Sequence, residues 1–332
     1  MNVLCLTNMY PSAGDASFGS FVQEQVEDLR AVGVDVTVMA FDARHDTAVY
    51  ARAVRAVRDA VRRNRVDLVH AHYGLTGAVA LSQRRVPVIV TFHGSDAGLV
   101  RWQAAISWFV ARGATPVFVN DDAARRLGRP RAAVICAGVD MKLFRPHDRA
   151  ACRRALGWDE DGRHVLLPGR RTNTIKRADL FDATVDVARR FAGDIQAVSL
   201  EGYSRAEMAR VMNAVDVTLM TSDDEGSPVT IKESLACATP VVSVPVADVS
   251  RLIAGLPGCA VAPREPNALA AEVLRALDAP RRPELRERVE AFSRPRVAQR
   301  TLALYRQVLD GAGARARGAD RSSGAAERRT AG

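Results

Sequence analysis

At 332 residues the chain is too long for one hydrophobic core of ordinary size, which points to two domains of about 150 residues each and excludes a mini-protein or a single small module. Hydrophobic residues at 48% against charged residues at 26% give the balance of a globular chain, which excludes a fibrous or disordered one, and no apolar run is long enough for a membrane span. The excess of 47 basic over 38 acidic residues, +9 net, favours phosphate in some form as a partner: nucleic acid, a membrane surface or a phosphorylated small molecule.

The start, Met1-Asn2-Val3-Leu4-Cys5-Leu6, runs straight into a strand pattern with no basic leader, so a cytoplasmic protein is expected. From there, short apolar runs ending in Gly, Asn, His, Ser or Pro alternate with longer segments of helical spacing, the pattern of a parallel α/β sheet. Strands are read at 3–7, 34–40, 66–72, 87–92, 116–119 and 133–136, enough to fill one doubly wound domain. Between the second and third of these, the helix at 51–64 carries Arg52, Arg55, Arg58 and Arg62 at helical spacing, with Val54, Val57 and Val61 on a neighbouring face. That stripe reads as a plain amphipathic surface helix or as one that rests on anionic lipid or nucleic acid.

After a polar, turn-rich passage at 145–163 the pattern restarts, with strands at 164–167, 195–200, 215–221, 240–244 and 259–262 and a last helix at 297–309. The expected organisation is a Rossmann-like first domain at 1–145 and a Rossmann-like second domain at 146–294. A helix at 295–310, which can pack back on the first domain, and a disordered basic tail at 311–332 follow. In that tail Arg315, Arg317, Arg321, Arg328 and Arg329 outweigh Asp320 and Glu327. The five scattered cysteines, Cys5, Cys136, Cys152, Cys237 and Cys259, contain no Cys-x-x-Cys pair, which argues against structural zinc and a disulfide framework. Two such domains in series are expected to place the carboxyl ends of their sheets on one interdomain cleft, where open α/β sheets bind ligands.

The most informative stretch is Thr221-Ser222-Asp223-Asp224-Glu225-Gly226-Ser227-Pro228-Val229-Thr230-Ile231-Lys232-Glu233, where a strand stops, a loop turns and a helix starts. Ser227 suits the N-cap and Pro228 the first helical position, so the amides of Val229 and Thr230 are expected to form an anion site. Taken alone, Glu225 also reads as a loop carboxylate and Glu233 as a charge favourable to the helix dipole. The run from Leu167 through Gly169, Arg170 and Lys176 to Arg177 follows the first strand of the second domain. A Gly-containing loop with cations on either side suits a diphosphate: Arg170 can make forked contacts, Lys176 supplies a point charge, and together they can neutralise a leaving group without metal. The bland alternative is solvated loop charge. In the first domain His93 closes a strand at the carboxyl edge of the sheet, as a cleft residue or a core histidine. His70 and His72 share a face of one strand, which raises a metal site against plain packing, with no third ligand in view.

Glu225 and Glu233 form a Glu-x7-Glu pair, and the run from Glu225 to Val242 resembles the signature of retaining glycosyltransferases of the GT-B fold, family 4. It is similar to the subgroup that reads Glu-Gly-Ser-Pro where commoner members carry Gly-Phe-Gly after the first Glu. Asp67-Leu-Val-His-Ala-His72, Thr91-Phe-His93-Gly-Ser-Asp96, Gly138-Val-Asp140 with Phe144 and Pro146, and Gly169-Arg170 with Lys176-Arg177 resemble the family's successive landmarks in order. The usual Asn before Gly138 is Ala137 here, and Lys176 and Glu225 lie closer together than the nucleotide-binding half of this fold usually allows.

The resemblance implies two Rossmann-like domains facing a cleft, with the donor held by the second and the acceptor by the first. Arg170 and Lys176, with Gly169 beside them, would hold the diphosphate of a nucleotide sugar, and Glu233 the ribose hydroxyls. Glu225 would hold the donor sugar together with the loop from Gly226 and Ser227 to Val229 and Thr230. His93 would sit near the sugar and the reacting centre, Asp96 on the acceptor side, and Gly19 would be the close-approach glycine for the phosphates. The resemblance implies no metal and no other cofactor. The donor would be a nucleoside-diphosphate sugar and the acceptor a hydroxyl, lipid-linked or on a growing glycan, in polysaccharide or glycoconjugate assembly.

Other readings are weaker. Asp159-Glu160-Asp161 matches the Asp-x-Asp of metal-dependent transferases but sits in the connecting passage, where a turn is expected. A dinucleotide oxidoreductase needs Gly-x-Gly-x-x-Gly after the first strand, and that is missing. Nucleic acid is not an expected partner, while peripheral contact with anionic membrane suits the arginine stripe. The opposing class is a catalytically silent nucleotide-sugar binder or scaffold of the same fold.

Overall fold

The computed structural model describes residues 1–12, 18–43, 48–97 and 101–327, with side chains to 312. It divides into two compact units, Met1–Ile135 with the chain from Val297 onward, and Cys136–Arg296. The divisions therefore fall at 135/136 and 296/297, against the expected 145/146 and 294/295. The sequence reading took the turn-rich passage as the border, whereas the chain enters the second core through Val139 and Phe144, both fully buried there.

Unit 1 runs β1 Asn2–Thr7, α1 Ser20–Ala31, β2 Asp35–Ala40, α2 Val49–Arg63, β3 Leu68–His72, α3 Gly74–Ala80, β4 Val88–Phe92, α4 Arg101–Gly113, β5 Thr115–Phe118, α5 Asp121–Arg126 and β6 Ala133–Val134. Its six strands are parallel in the order β2-β1-β3-β4-β5-β6. Both faces of this sheet are covered, so β3 and β4 are buried along their whole length, their histidines and threonine included. Side chains alternate between the faces. Leu4, Leu6, Val69, Val90 and Phe92 pack with α2, α3 and α4, while Val3, Cys5, Leu68 and Ile89 pack with α1 and with Val297, Leu302 and Tyr305 of the last helix.

Unit 2 contains α6 Arg149–Leu156, β7 Arg163–Leu167, α7 Ala178–Ala192, β8 Ile195–Ser199, α8 Arg205–Ala214, β9 Val217–Met220, α9 Val229–Ala236, β10 Val241–Ser243, α10 Val249–Ile253, β11 Ala260–Val261, α11 Pro266–Leu277 and α12 Pro283–Val289. Its five strands are parallel in the order β11-β10-β9-β7-β8. All eleven expected strands are present, each within a few residues of its predicted limits. The last helix, α13, spans Arg294–Glu327 and so runs past Gly311, where the sequence reading ended it and began a disordered tail. Alanine and arginine recur through 312–327, and their helix propensity outweighs that of the interspersed glycines. Arg328 and Arg329 of the expected tail lie outside the described residues.

In each sheet the strand order reverses once, between β1 and β3 in unit 1 and between β7 and β9 in unit 2. Loops leaving adjacent strands in opposite directions open a crevice at that point, so the two switch points are where the fold itself prepares ligand sites.

Candidate functional site

In unit 2 the loops after β7 and β9 meet at the switch point. Thr221 Oγ1 donates to the carbonyl of Lys176 at 2.7 Å and the amide of Asp223 to that of Ile175 at 2.9 Å, which ties the two loops together. Lys176 Nζ then reaches Glu225 Oε1 at 2.6 Å, with both side chains mostly buried. A Cβ on Gly169 would lie 2.8 Å from Lys176 Cε, so this position must be small for the lysine stem to lie over the loop. Arg170, at the turn after Gly169, is exposed. The predicted diphosphate lysine and the predicted sugar carboxylate are thus brought together as an ion pair, with Arg170 exposed in the same loop as the lysine.

Glu233 is fully buried on α9, and its Oε1 accepts from Arg205 Nη2 at 2.7 Å. Arg205 also lies over the Phe144 ring, 4.8 Å from its centroid, which fixes the guanidinium plane. Sequence reasoning missed Arg205. The Ser204-x-x-Glu207 capping box starts α8 and puts Arg205 on its first turn, but nothing local points it to Glu233.

The loop before α9 departs from expectation. Pro228, not Ser227, is the N-cap, and no side chain caps the helix. Ser227 Oγ is instead spent on two partners: it donates to Asp248 Oδ2 at 2.6 Å and accepts from Lys232 Nζ at 2.6 Å. Lys232 is fully buried, also donates to the Ser227 carbonyl at 3.3 Å, and lies over the Phe292 ring. A serine joined to a buried cation and a carboxylate holds the Gly226–Ser227 turn more firmly than a cap would, and leaves the first amides of α9, at Val229 and Thr230, without a capping side chain. Neither Lys232 nor Asp248 was singled out from sequence.

In unit 1, β3 and β4 carry three histidines to their carboxyl edge. His70 Nδ1 lies 2.6 Å from the Tyr305 hydroxyl and Nε2 2.8 Å from Thr91 Oγ1, so both ring nitrogens are used in packing. Among the described residues no group of three His, Cys, Asp or Glu side chains is placed to hold a metal ion. His72 Nδ1 and His93 Nε2 are 3.2 Å apart, one donating to the other, with the rings stacked and Phe21 packed against His93. Burial lowers the pKa of His70 to about 3 and of His93 to about 4, and holds His72 well below its ordinary value. All three are neutral near pH 7.

Asp96 is fully buried. Its Oδ1 accepts from the amides of His93 at 3.0 Å and Gly94 at 3.1 Å, and its Oδ2 from Gly74 at 3.0 Å, while burial raises its pKa to about 6. The residue expected on the acceptor side is therefore occupied by backbone and fixes the loop that carries His93. Gly19 caps α1 at φ 72°, and a Cβ there would lie 2.3 Å from the Met9 carbonyl carbon. Its close approach is to the chain's own backbone, which by itself requires glycine. Asp159 Oδ1 accepts from the Asp161 amide at 3.2 Å in the bend before β7, so this Asp-x-Asp is a turn at the end of the sheet away from the Gly169 loop.

Comparison with known proteins agrees with both halves. Residues 18–143 match the family model described as Glycosyltransferase Family 4, and residues 172–279 match the one described as Glycosyl transferases group 1. The chain is similar to the "Putative teichuronic acid biosynthesis glycosyltransferase TuaC" of Bacillus subtilis, 23% identical over 83% of this chain and 89% of that one. It is also similar to the "D-inositol 3-phosphate glycosyltransferase 1" of Catenulispora acidiphila, 28% identical over 74% and 73%. Among solved structures, the sucrose-phosphate synthase of Thermosynechococcus elongatus superposes with a TM-score of 0.76 at 18% identity, covering 93% of this chain and 99% of that one. Anabaena Alr3699/HepE in complex with UDP-glucose superposes at 0.63 with 14% identity, over 95% and 100%. Two parallel-sheet units, with a family 4 match over residues 18–143 and a group 1 match over 172–279, make the chain similar in both halves to glycosyltransferases of the GT-B fold.

Proposed function

We infer that the protein is a retaining glycosyltransferase that moves a sugar from a nucleoside-diphosphate sugar to a hydroxyl acceptor and needs no metal ion. The observation that carries this reading is the meeting of Lys176, Glu225 and the α9 amino end at the β7/β9 switch point. Two anionic groups compete for Lys176 when a diphosphate enters: the ammonium turns from Glu225 to the phosphate, and the released carboxylate is free to accept from sugar hydroxyls. Arg170 and the amides of Val229 and Thr230 add positive potential where the leaving group gains charge, the part a metal plays in other transferases. Glu233, aligned by Arg205, is assigned to the ribose hydroxyls, and the acceptor is assigned to unit 1 with His93 as a neutral hydrogen-bonding group.

In the step itself the bond from the anomeric carbon to the phosphate oxygen breaks with its electron pair leaving on the diphosphate. The acceptor oxygen bonds to the same face of that carbon, and its proton passes to the departing phosphate. Retention of configuration follows from attack on the face just vacated. The teichuronic acid relative supports polysaccharide or glycoconjugate assembly as the setting.

The test is a thermal-shift panel of UDP, GDP, TDP, CDP and ADP, with and without magnesium, on the wild type and Lys176→Ala. A ligand at about 100 times its dissociation constant stabilises by about 2.7 kcal/mol, a readable rise in melting temperature. One diphosphate is expected to shift the wild type equally in chelator and in magnesium, and to lose its effect in Lys176→Ala. A shift that requires magnesium overturns the metal-free reading. No shift with any diphosphate, in a protein that still carries out its biological role with Glu225→Ala, favours the silent scaffold.

A further inference from the structure

Helix α4 is apolar on the side that faces away from the core. Its inner face buries Ser107, Val110 and Ala111, with Ser107 against Gly74 and Val110 against Gly77 of α3. Its outer face, at the spacing of successive helical turns, carries Arg101, Trp102, Ala105, Trp108, Phe109 and Arg112, all exposed. Trp102 is 56% exposed, Trp108 40% and Phe109 68%, three of the six exposed large hydrophobic side chains among the described residues. Among the described residues these rings belong to neither core cluster of unit 1, so the sheet packing does not draw on them. Trp108 and Phe109 meet edge to face at 5.0 Å, and the Arg112 guanidinium lies over the Trp108 ring at 3.2 Å, so the patch is ordered and rimmed by cation.

The neighbouring surface has the matching charge. α2, α3 and α4 lie side by side on one face of the unit 1 sheet. α2 presents Arg52, Arg55, Arg58, Arg62 and Arg63 with Asp59 as its one acidic residue, and α4 has two arginines and no acidic residue. Between them, Tyr50, Val54, Leu75, Val79 and Trp102 line an apolar groove of about 410 Å³. Indole and phenyl rings bordered by arginine, on the flank of a basic amphipathic helix, are the composition that settles at the boundary between headgroups and acyl chains. No helix among the described residues is long and apolar enough to cross a bilayer, so the contact is peripheral.

We propose that the α2–α3–α4 face of unit 1 docks on an anionic lipid leaflet, with Trp102, Trp108 and Phe109 entering the interface and the arginines of α2 and α4 meeting the headgroups. The inference rests on unit 1 alone and stands or falls apart from the donor reading.

The test uses the full chain in vesicle flotation, with phosphatidylcholine vesicles and with vesicles mixed with phosphatidylglycerol. The protein is expected to float with the mixed vesicles alone and to come off as salt rises. Trp102→Ser/Trp108→Ser/Phe109→Ser and Arg55→Gln/Arg62→Gln/Arg101→Gln are each expected to lower the partition coefficient about tenfold or more, with circular dichroism and melting temperature held near wild type because the side chains changed are exposed. Absence of flotation, or flotation that both variants retain, overturns the proposal. So does light scattering that shows a dimer broken by the aromatic variant, which makes the face a self-interface, and so does single-stranded RNA that binds the face while vesicles do not.

Discussion

At the switch point of unit 1 three histidines are buried neutral, whereas at the switch point of unit 2 cations are set against carboxylates. The His70–His72–His93 row is held by Tyr305, Thr91 and the Asp96 clip. Lys176–Glu225, Arg205–Glu233 and Lys232–Ser227–Asp248 are pairs or relays of opposite sign. The same fold therefore offers one edge suited to uncharged hydroxyl chemistry and another suited to displacing ion pairs by a charged ligand. That division teaches which perturbation each half should feel: charge removal in unit 2, protonation in unit 1.

The largest expected effect is at the Lys176–Glu225 pair. Glu225→Gln keeps the shape and removes the charge, and kcat/KM for sugar transfer should fall about a thousandfold, about 4 kcal/mol of transition-state stabilisation. A loss of less than about tenfold would mean that the Lys176–Glu225 pair is structural. Lys232→Met comes next: it leaves the Ser227 hydroxyl and carbonyl without their buried charged donor, and unit 2 should lose about 3 kcal/mol in denaturant titration, with Lys232→Arg recovering part of it. Arg205→Ala should cost about 2 kcal/mol by removing the guanidinium donor of the fully buried Glu233, read as a lower melting temperature that Arg205→Lys partly restores.

The pH prediction sharpens the comparison on the other side. A histidine whose folded pKa lies below its unfolded value of 6.5 binds more protons when unfolded, so its stabilisation is complete above that pH and lost as pH falls below it. Asp96, raised to about 6, acts in the opposite sense between about 6 and its ordinary value of 3.8, but one carboxyl opposes three histidines. Unit 1 should therefore weaken from about pH 6.5 downward. Trp102 and Trp108 report on unit 1 and Trp158 on unit 2, so fluorescence-detected melting in a Trp158→Phe background isolates the effect. If the two units weaken in parallel on acidification, the contrast drawn between them fails. The smallest effect is that of Tyr305→Phe, which removes one buried hydrogen bond from His70 and should cost about 1 kcal/mol.

The strands were legible because a parallel sheet covered on both faces writes its strands as short, mostly apolar runs, as Val88–Phe92 does with Thr91 its one polar residue. Glu225, Lys176 and Gly169 could be singled out because short spacings place them in the loops that follow strands, and Glu233 because it stands on the helix that the second of those loops enters. Arg205 and Asp248 were not: each meets its partner across a separation that no local pattern encodes, 28 positions to Glu233 and 21 to Ser227. Ser227 was misread for a related reason. Serine before proline is a good cap signal, yet Lys232 and Asp248 claim the hydroxyl and the cap moves to Pro228. The outer face of α4 escaped because three aromatic residues within a helix look like core until the structure shows which side is covered.

The return of α13 to the first core has a consequence for biosynthesis. Val297, Leu302 and Tyr305 complete a cluster begun by Val3 and Cys5, so unit 2 is, in chain order, an insertion within unit 1. On the ribosome the second unit can be completed while the first still lacks a wall, with His70 waiting for a hydroxyl made 235 residues later. The unit made first is thus the last to be finished, and a nascent chain stopped before α13 would present an open apolar sheet face to chaperones, however well its inserted partner had folded.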